Sequence, residues 1–279
     1  MKKIFFFTIL FLINFCLFAY AEHGQVFRTA DSKFITFSEM LEDLKKVDVI
    51  FVGEVHDREF HHEMQLNIIK ALVAEKLPIV IGLEMFNYES QKELDLWSSG
   101  NINTEDFIRV YYKNWNFPWN IYDDIFIFIK DNKLPAIGLN VPPEITRKVA
   151  TSGFASLTKE ELKRLPPEIA CIVNEEYMKF IRRAYAMHGH GGNNFQFFCE
   201  AQLLWDQSMA YNIAGYFKKH NDKKMVVLAG NGHAWKRGIP AQLKHFSDKI
   251  NHRVILPYIE KYIDPNTIKS GDADYILIY

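Results

Sequence analysis

The sequence predicts an α/β fold, a mostly parallel β-sheet flanked by helices with a smaller helical insert subdomain. Six short runs rich in β-branched and other apolar residues recur along the 279 residues, and most are solidly apolar, as strands covered on both faces are. Amphipathic stretches separate these runs, which is the alternation expected of a parallel sheet. The predicted strands are Val49 to Gly53, Ile79 to Leu83, Ala136 to Leu139, Met225 to Ala229, Arg253 to Leu256 and Tyr275 to Ile278.

Sequence signals for helix starts lie between the predicted strands. Ser90-x-x-Glu93 and Thr158-x-x-Glu161 fit capping boxes, in which both side chains satisfy free backbone N–H groups. Pro142 and Pro143 suit the first turn of another helix, where proline loses no hydrogen bond. These starts support helices as the connections between parallel strands.

The connection after the third strand is longer than the others. About 85 residues separate Leu139 from Met225, far more than one crossover helix needs. We therefore place the helical insert at about residues 142–200 and a long helix over Phe195 to Lys219. Residues 188–194 of the insert read His-Gly-His-Gly-Gly-Asn-Asn, a glycine-rich sequence that predicts a sharp turn.

Residues 1–21 form a predicted signal peptide. Lys2 and Lys3 precede an apolar run from Ile4 to Phe18, and Ala19-Tyr20-Ala21 has the small-x-small form of a signal-peptidase site. We expect export to the periplasm and a mature chain, residues 22–279, that forms one α/β domain with its insert. The alternative is an uncleaved membrane anchor, for which the apolar run is short beside a span of about 20 residues.

The net charge and the three cysteines limit the binding partners and the modifications that the sequence allows. Cleavage removes two lysines and no acidic residue, so the net charge of −1 becomes −3, which excludes a strong electrostatic attraction to nucleic acid. Cys16 offers lipid attachment as a second route to a membrane, although Phe15 stands where a small residue is expected. Cys171 and Cys199 either pair in an oxidising compartment or remain buried thiols, and their spacing does not fit a zinc site.

Polar residues follow four of the predicted strands. Ligands bind outside the carboxyl ends of the strands in an open parallel sheet, so these residues are expected to meet at one edge. Any one of them alone fits a helix cap or a satisfied buried polar group, but four such strand ends together favour a site. They are Glu54 and His56 after the first strand, Glu84 after the second, Asn140 after the third, and Asn231 and His233 after the fourth.

Two of these strand ends carry the same turn, Gly-x-x-His. Glycine permits a tight turn, which brings the histidine back over the strand end as a base or a ligand. Glu54 and Glu84, expected on adjacent strands, would either form a coupled carboxylate pair with one raised pKa or bind a cation.

The histidines that follow the first strand have a simpler interpretation. Leu66 stands where a zinc protease needs its second histidine, so a zinc-protease helix is excluded. We predict instead that His61, His62 and Glu63 form a solvated first helical turn.

Five blocks of the sequence belong together in chain order, FVGEVHDREFHHEMQ, GLEMFNYESQ, GLNVPPEITRKVATSGF, FCEAQLLWDQSMA and GNGHAWKRGIP. Together these blocks resemble the ChaN-like haem-binding, iron-regulated proteins. The resemblance runs from about residue 35 to 245 and extends to a superfamily with the erythromycin esterases, the TraB-type proteins and the Tiki proteases. It implies an exported, often lipid-anchored protein that binds haem in iron uptake, with an outer-membrane haem receptor as a partner.

The same relatives imply an alternative, a metal- or carboxylate-dependent hydrolase. Carried over by position, its site comprises Glu54, His56, Glu84 and His233, with one carboxylate or histidine activating water. Retained residues do not establish retained chemistry, so haem binding without turnover is the preferred function. A protein-interaction module is the third class, and it gives no reason for four converging polar strand ends.

The insert sequence NEEYMKFIRRAYAMHGH supplies groups that suit noncovalent haem. Ferric haem needs an apolar slot, an axial ligand and groups for its propionates, and the sequence has no Cys-x-x-Cys-His motif for covalent attachment. At 100° per residue, Tyr177 and His188 share a helical stripe, with Tyr185 on its flank. Arg182 and Arg183 would lower the pKa of a nearby phenol and pair with propionates. We therefore predict the axial ligand of the haem iron in the order Tyr177, Tyr185, then His188 and His190.

The spacing of these residues favours a homodimer. Tyr177 and His188 are eleven positions apart, about 16 Å along a helix axis, which is too far to share one iron. Two chains packed antiparallel through this helix would bring one chain's tyrosine near the other's histidine. The sequence thus predicts a homodimer linked by haem.

Overall fold

A computed structural model of the chain describes residues 24–167, 169, 173, 175–187 and 194–278, and at positions 176 and 183–187 it describes the backbone alone. The predicted signal peptide with Cys16, the second cysteine Cys171, and the loop histidines His188 and His190 lie outside the described residues. Among the residues that the structure does describe, no helix is both long enough and apolar enough to cross a membrane.

Eight strands form one mixed sheet. They are β1 (Gln25–Arg28), β2 (Lys33–Ile35), β3 (Val49–Glu54), β4 (Ile79–Asn87), β5 (Ala136–Asn140), β6 (Lys224–Gly230), β7 (His252–Pro257) and β8 (Tyr275–Ile278). Their order across the sheet is β2-β1-β8-β7-β3-β6-β4-β5. The six strands from β8 to β5 pair in parallel, whereas β1 is antiparallel to both of its neighbours. The predicted α/β class and all six predicted strands are confirmed, and the antiparallel edge of β1 and β2 is additional.

Helices connect these strands. They are α1 (Phe37–Leu44), α2 (Glu59–Ala74), α3 (Gln91–Ser98), α4 (Thr104–Asn114), α5 (Asp123–Asp131), α6 (Pro143–Ser152), α7 (Lys159–Lys163), α8 (Glu175–Met187), α9 (Phe195–Phe217), α10 (Asn231–Ala234) and α11 (Ile239–Phe246). The helices α6, α7 and α8 lie within the range of the predicted insert, and α9 is the predicted long helix.

One of the two predicted capping boxes forms. At the start of α7, the Thr158 side chain accepts from the Glu161 backbone N–H, and the Glu161 side chain accepts from the Thr158 backbone N–H. The prediction for Ser90 is wrong, because a 3-10 turn (Tyr88–Ser90) precedes α3 and Ser90 makes no capping hydrogen bond. Its hydroxyl instead donates to Oδ1 of Asn114 over 3.2 Å.

The sheet is buried on both faces, as its solidly apolar strands require. In β3, Ile50 and Val52 join a core with α2 and the aromatic residues of α3 to α5 on one face. On the other face, Val49 and Phe51 join a second core with α9 and the loops after β6 and β7. This packing leaves the carboxyl ends of β3, β4, β5 and β6 side by side at one edge.

Candidate functional site

The polar residues at the carboxyl ends of β3, β4 and β6 meet at one edge of the sheet, as predicted. Glu54 ends β3 opposite Gly230, the last residue of β6. Glu84 is the first residue of β4 beyond its pairing with β6, and the pairing of β4 with β5 shifts its register between Leu83 and Asn87. The expectation that Glu54 and Glu84 lie on adjacent strands is wrong, because β6 separates β3 from β4. The strand β6 pairs in parallel with both β3 and β4, so Gly230 at its end lies between the carboxylates of Glu54 and Glu84.

Glu54 is a buried carboxylate surrounded by a tyrosine hydroxyl and two imidazoles. Its Oε1 accepts a hydrogen bond from the Tyr122 hydroxyl over 2.6 Å and lies 2.7 Å from Nδ1 of His56. Nε2 of His62 lies 3.1 Å from Oε2. Burial alone would raise the pKa of Glu54, but the contacts with His56 and His62 outweigh it and hold the pKa well below the usual range. Glu54 is therefore paired with imidazoles and is not the raised member of a carboxylate pair.

His56 is fixed between Glu54 and an aromatic wall. Its ring meets Trp115 edge-on with 4.9 Å between the centroids, and Phe117 lies at 5.0 Å. Burial lowers the pKa of His56, but the hydrogen bond and charge of Glu54 raise it above the ordinary value. A Cβ atom at Gly230 would lie 2.8 Å from Cε1 of His56, so only glycine leaves room for the ring there. The backbone N–H of Gly230 donates to Oε2 of Glu84 over 2.6 Å.

His233 also lies close to Glu84, the carboxylate that accepts from Gly230. Its Nε2 lies 3.8 Å from Oε1 of Glu84, and its Nδ1 lies 2.6 Å from Oδ1 of Asp206. Burial lowers the pKa of His233, but the charges of Glu84 and Asp206 raise it to about 9. The fully buried Asp206 has a raised pKa, because burial penalises its charged form.

Sequence reasoning missed Asp206, which lies in the middle of α9. The signal available was a lone carboxylate between the apolar residues of LLWDQSMA, at a position where a long buried helix would otherwise carry an apolar side chain. Tyr122 was missed as well, because it reaches Glu54 from the start of α5, 68 positions away in the chain.

Tyr177 of the insert helix joins this site from α8. Its hydroxyl donates to Oδ2 of Asp206 over 2.7 Å, and only 7% of the residue is exposed. Tyr177, Asp206, His233 and Glu84 therefore form a continuous line of buried polar groups, here called the polar chain. It connects the insert to the carboxyl edge of the sheet.

The other predicted haem residues are described only in part. Arg182 is exposed, and its guanidinium lies 4.5 Å from the centroid of the Phe195 ring, a cation–π distance. Arg183 and Tyr185 lie on α8, where the structure describes their backbone. Their roles, and those of His188 and His190, stay predictions.

The predicted solvated turn after β3 is wrong for two of its three residues. His61 and His62 are buried, and only Glu63 is exposed. Nδ1 of His61 accepts from the backbone N–H of Val55 over 2.9 Å, and burial lowers the pKa of His61 to about 4. The first turn of α2 packs against the end of β3, where it brings His62 to Glu54, so the histidines contribute to the site and not to the surface.

The remaining candidates are a metal site and the cysteines. Within the described part of the chain, no group of three or more His, Cys, Asp or Glu side chains is arranged to hold a metal ion. Cys199 is a buried free thiol whose pKa burial raises to about 11.

A cavity of about 250 Å³ lies beside α8, on the face of the sheet that α9 covers. Three aromatic rings and two cations are among its lining residues. The lining comprises Lys179, Phe180, Gly232, Trp235, Arg237, Tyr262, Thr267 and Asp272.

Comparison with known proteins places this geometry in a family. Residues 40–243 match the family model described as haem-binding uptake, Tiki superfamily, ChaN. The chain is similar to ChaN of Campylobacter jejuni in a structure of cofacial haem binding, with 23% identity, a TM-score of 0.72, and coverage of 93% of this chain and 98% of that one. This similarity shows a shared fold.

Two further similarities are more distant. A mutant erythromycin esterase in its open conformation has 16% identity and a TM-score of 0.49, over 83% of this chain and 76% of that one. A curated relative is Protein RETICULATA-RELATED 5, chloroplastic, of Arabidopsis thaliana, 22% identical over 253 residues. That match covers 84% of this chain and 34% of the relative, so the chain spans about a third of the relative's length. Because the family match covers most of the chain, including the strand-end residues and α8, the chain belongs to the ChaN family of haem-binding uptake proteins in the Tiki superfamily.

Proposed function

We propose that this chain is an exported protein that binds haem noncovalently for haem and iron acquisition. The observation that carries the proposal is the family match over residues 40–243. The haem is cargo, which the protein must both take up and release, so its ligands are side chains of the fold and not a covalent attachment.

The residues around α8 fit a haem. A haem site requires an apolar slot, an axial ligand and groups for two propionates. The cavity beside α8 provides aromatic walls and cations, and α8 itself carries two tyrosines and two arginines. This fit supports the insert, and not the strand-end site, as the place of haem binding.

Tyr185 is the preferred axial ligand, ahead of Tyr177. The hydroxyl of Tyr177 already donates to Asp206, so iron ligation by Tyr177 would leave the buried Oδ2 of Asp206 without its donor. Tyr185 follows Tyr177 by eight positions, about 12 Å along the helix axis and about 80° around it. His188 and His190, which follow α8 in the sequence, are the next candidates, and Arg182 and Arg183 are suited to hold an ionised phenol or a propionate.

The chain is further proposed to act as a homodimer in the periplasm, with an outer-membrane haem receptor as partner. The dimer is favoured for a site that uses both Tyr177 and His188, because these residues are eleven positions apart, about 16 Å along a helix axis. Sedimentation velocity of the purified chain, recorded at 280 nm and at the haem absorption band, tests haem binding and the dimer together. Hemin should co-sediment with a dimer, whereas hemin that sediments apart from the protein would refute the binding.

The polar chain favours a second candidate function, hydrolysis at the strand-end site. His233 is oriented by Asp206 with its Nε2 3.8 Å from Glu84, and the ring of His56 and Oε2 of Glu84 both lie beside Gly230, which is an arrangement suited to activating water. Ester or peptide turnover by the wild type that Glu84→Gln abolishes, with hemin affinity unchanged, would promote this function.

A further inference from the structure

We propose that the cavity beside α8 receives the carboxylate edge of haem, with Lys179 and Arg237 as the cations that recognise the propionates. The inference rests on the proposed haem-binding function and deepens it. It adds Lys179 and Arg237, which lie outside the set of residues that the sequence singled out, and it brings the loop after β6 into the haem site.

The aromatic walls of the cavity are fixed in place. The ring of Trp235 lies 6.0 Å from that of Phe180 and 6.1 Å from that of Tyr262, at interplanar angles of 64° and 65°. Nε1 of Trp235 donates to Oδ1 of Asp272 over 3.2 Å, and only 3% of Trp235 is exposed. A preformed wall needs little rearrangement of the protein when the edge of a ligand enters the cavity.

The size of the cavity indicates that it takes an edge of the ligand. Its volume of about 250 Å³ is below the roughly 300–1,000 Å³ of pockets that enclose a drug-sized molecule. A whole macrocycle therefore does not fit, and most of the haem would extend out of the cavity along α8.

The charges at the cavity favour a dicarboxylate. Lys179 is exposed, and half of the Arg237 side chain is exposed, with its Nε 3.6 Å from Asp272 and so beyond hydrogen-bond distance. Asp272 is the ion-pair partner of Arg237 and also accepts from Trp235 and from the backbone N–H of Lys269. Two cations against one carboxylate leave the lining with an excess of positive charge, in which an arginine fork and a lysine ammonium can each meet one propionate.

The position of Lys179 connects the cavity to Arg182, one of the predicted haem residues. Lys179 and Arg182 are three positions apart on α8, and both are exposed. Because these two side chains are about 60° apart around the helix, they present two neighbouring cations beside the cavity.

The test compares hemin with hemin dimethyl ester, which lacks both propionate charges. Both are titrated into the haem-free full chain and its variant Lys179→Gln/Arg237→Gln. The matched control is Lys92→Gln/Arg109→Gln, which removes the same two charges from α3 and α4 on the opposite face of the sheet. We expect the cavity variant to bind hemin about tenfold more weakly than the wild type, a loss of about 1.4 kcal/mol. The control should bind like the wild type, and the ligand-to-iron charge-transfer band should persist in both.

The dimethyl ester separates charge recognition from general haem affinity. The wild type should bind the ester about tenfold more weakly than hemin, and the cavity variant should bind the two alike. A cavity variant with wild-type affinity for hemin, or a wild type that does not distinguish hemin from its ester, would overturn the inference while leaving the proposed function intact. A wild type that binds no hemin would overturn the proposed function and this inference together.

Discussion

The hydroxyl of Tyr177 donates to Asp206 over 2.7 Å, and the other oxygen of the same carboxylate lies 2.6 Å from Nδ1 of His233. Tyr177 belongs to the insert helix α8, whereas His233 follows β6 at the carboxyl edge of the sheet. The buried carboxylate of Asp206 therefore bridges the two candidate sites. A shift of α8 would change the environment of His233, so the proposed haem site at the insert and the strand-end site are physically connected.

Removal of the Tyr177 hydroxyl should destabilise the fold. Tyr177→Phe keeps the ring but leaves a buried carboxylate oxygen without its donor, so we expect a loss of about 1–3 kcal/mol in the free energy of unfolding. Urea denaturation measures this loss. The exposed Tyr258 provides the control, because Tyr258→Phe should change the free energy of unfolding by less than about 0.5 kcal/mol. Equal stability of the two variants would show that the Tyr177 hydrogen bond contributes nothing.

The stabilising contribution of His233 should depend on pH. Its pKa in the folded state is raised to about 9 from the ordinary 6.5, so the contribution is fully present below pH 6.5 and is lost as the pH rises through 9. The stability advantage of the wild type over His233→Gln should shrink across this window, by at most about 3 kcal/mol. Urea denaturation at several pH values measures the difference. Asp206→Asn removes one of the charges that raise the pKa and should flatten the dependence, whereas a pH-independent advantage in the wild type would contradict the assignment.

Gly230 should be intolerant of a side chain. A methyl group there would lie 2.8 Å from Cε1 of His56 and 3.1 Å from Nε2, so Gly230→Ala must displace the imidazole from Glu54. We expect a loss of about 1–3 kcal/mol in stability and a fall in the pKa of His56 toward its ordinary value, measurable by NMR titration. Gly215 in α9 has open space around it, so Gly215→Ala should instead stabilise the helix by about 0.5–1 kcal/mol. Equal effects of the two substitutions would contradict the close packing at Gly230.

The strands and their polar ends are predictable from the sequence because both depend on local patterns. The solidly apolar β3 and β6, each followed by a glycine-led turn, are enough to place Glu54, His56 and His233 at the same edge of the sheet. Asp206 and Tyr122 cannot be identified in this way. They reach the site from helices far away in the chain, and only the packing of α9 and α5 on the sheet brings them there.

Two errors have the same physical origin, since in each a local pattern is overridden by packing between distant segments. The polar side chains of His61 and His62 indicate a solvated turn, but the close packing of α2 on β3 buries both rings beside Glu54. Glu54 and Glu84 are expected on adjacent strands because their strands are consecutive in the sequence. The chain returns through β6 after the insert, so a strand from much later in the sequence separates them.

The proposed export of the protein implies that its signal peptide is cleaved at a defined position. Ala19-Tyr20-Ala21 fits a signal-peptidase site, so the native protein should begin at Glu22. Intact-protein mass spectrometry of material from the native host determines this. A diacylated species that begins at Cys16 would place the protein on a membrane instead, and an uncleaved chain would favour the anchor.

Absorbance titration of the haem-free full chain with hemin tests the central claim most directly. The chain should saturate at one hemin per protomer and show a tyrosinate-to-iron charge-transfer band, which Tyr177→Phe retains and Tyr185→Phe loses. Loss of the band in Tyr177→Phe alone would return the ligand role to Tyr177, at the expense of its bond to Asp206. Absorbance that rises in proportion to added hemin, without saturation and without such a band, would contradict haem binding by this chain.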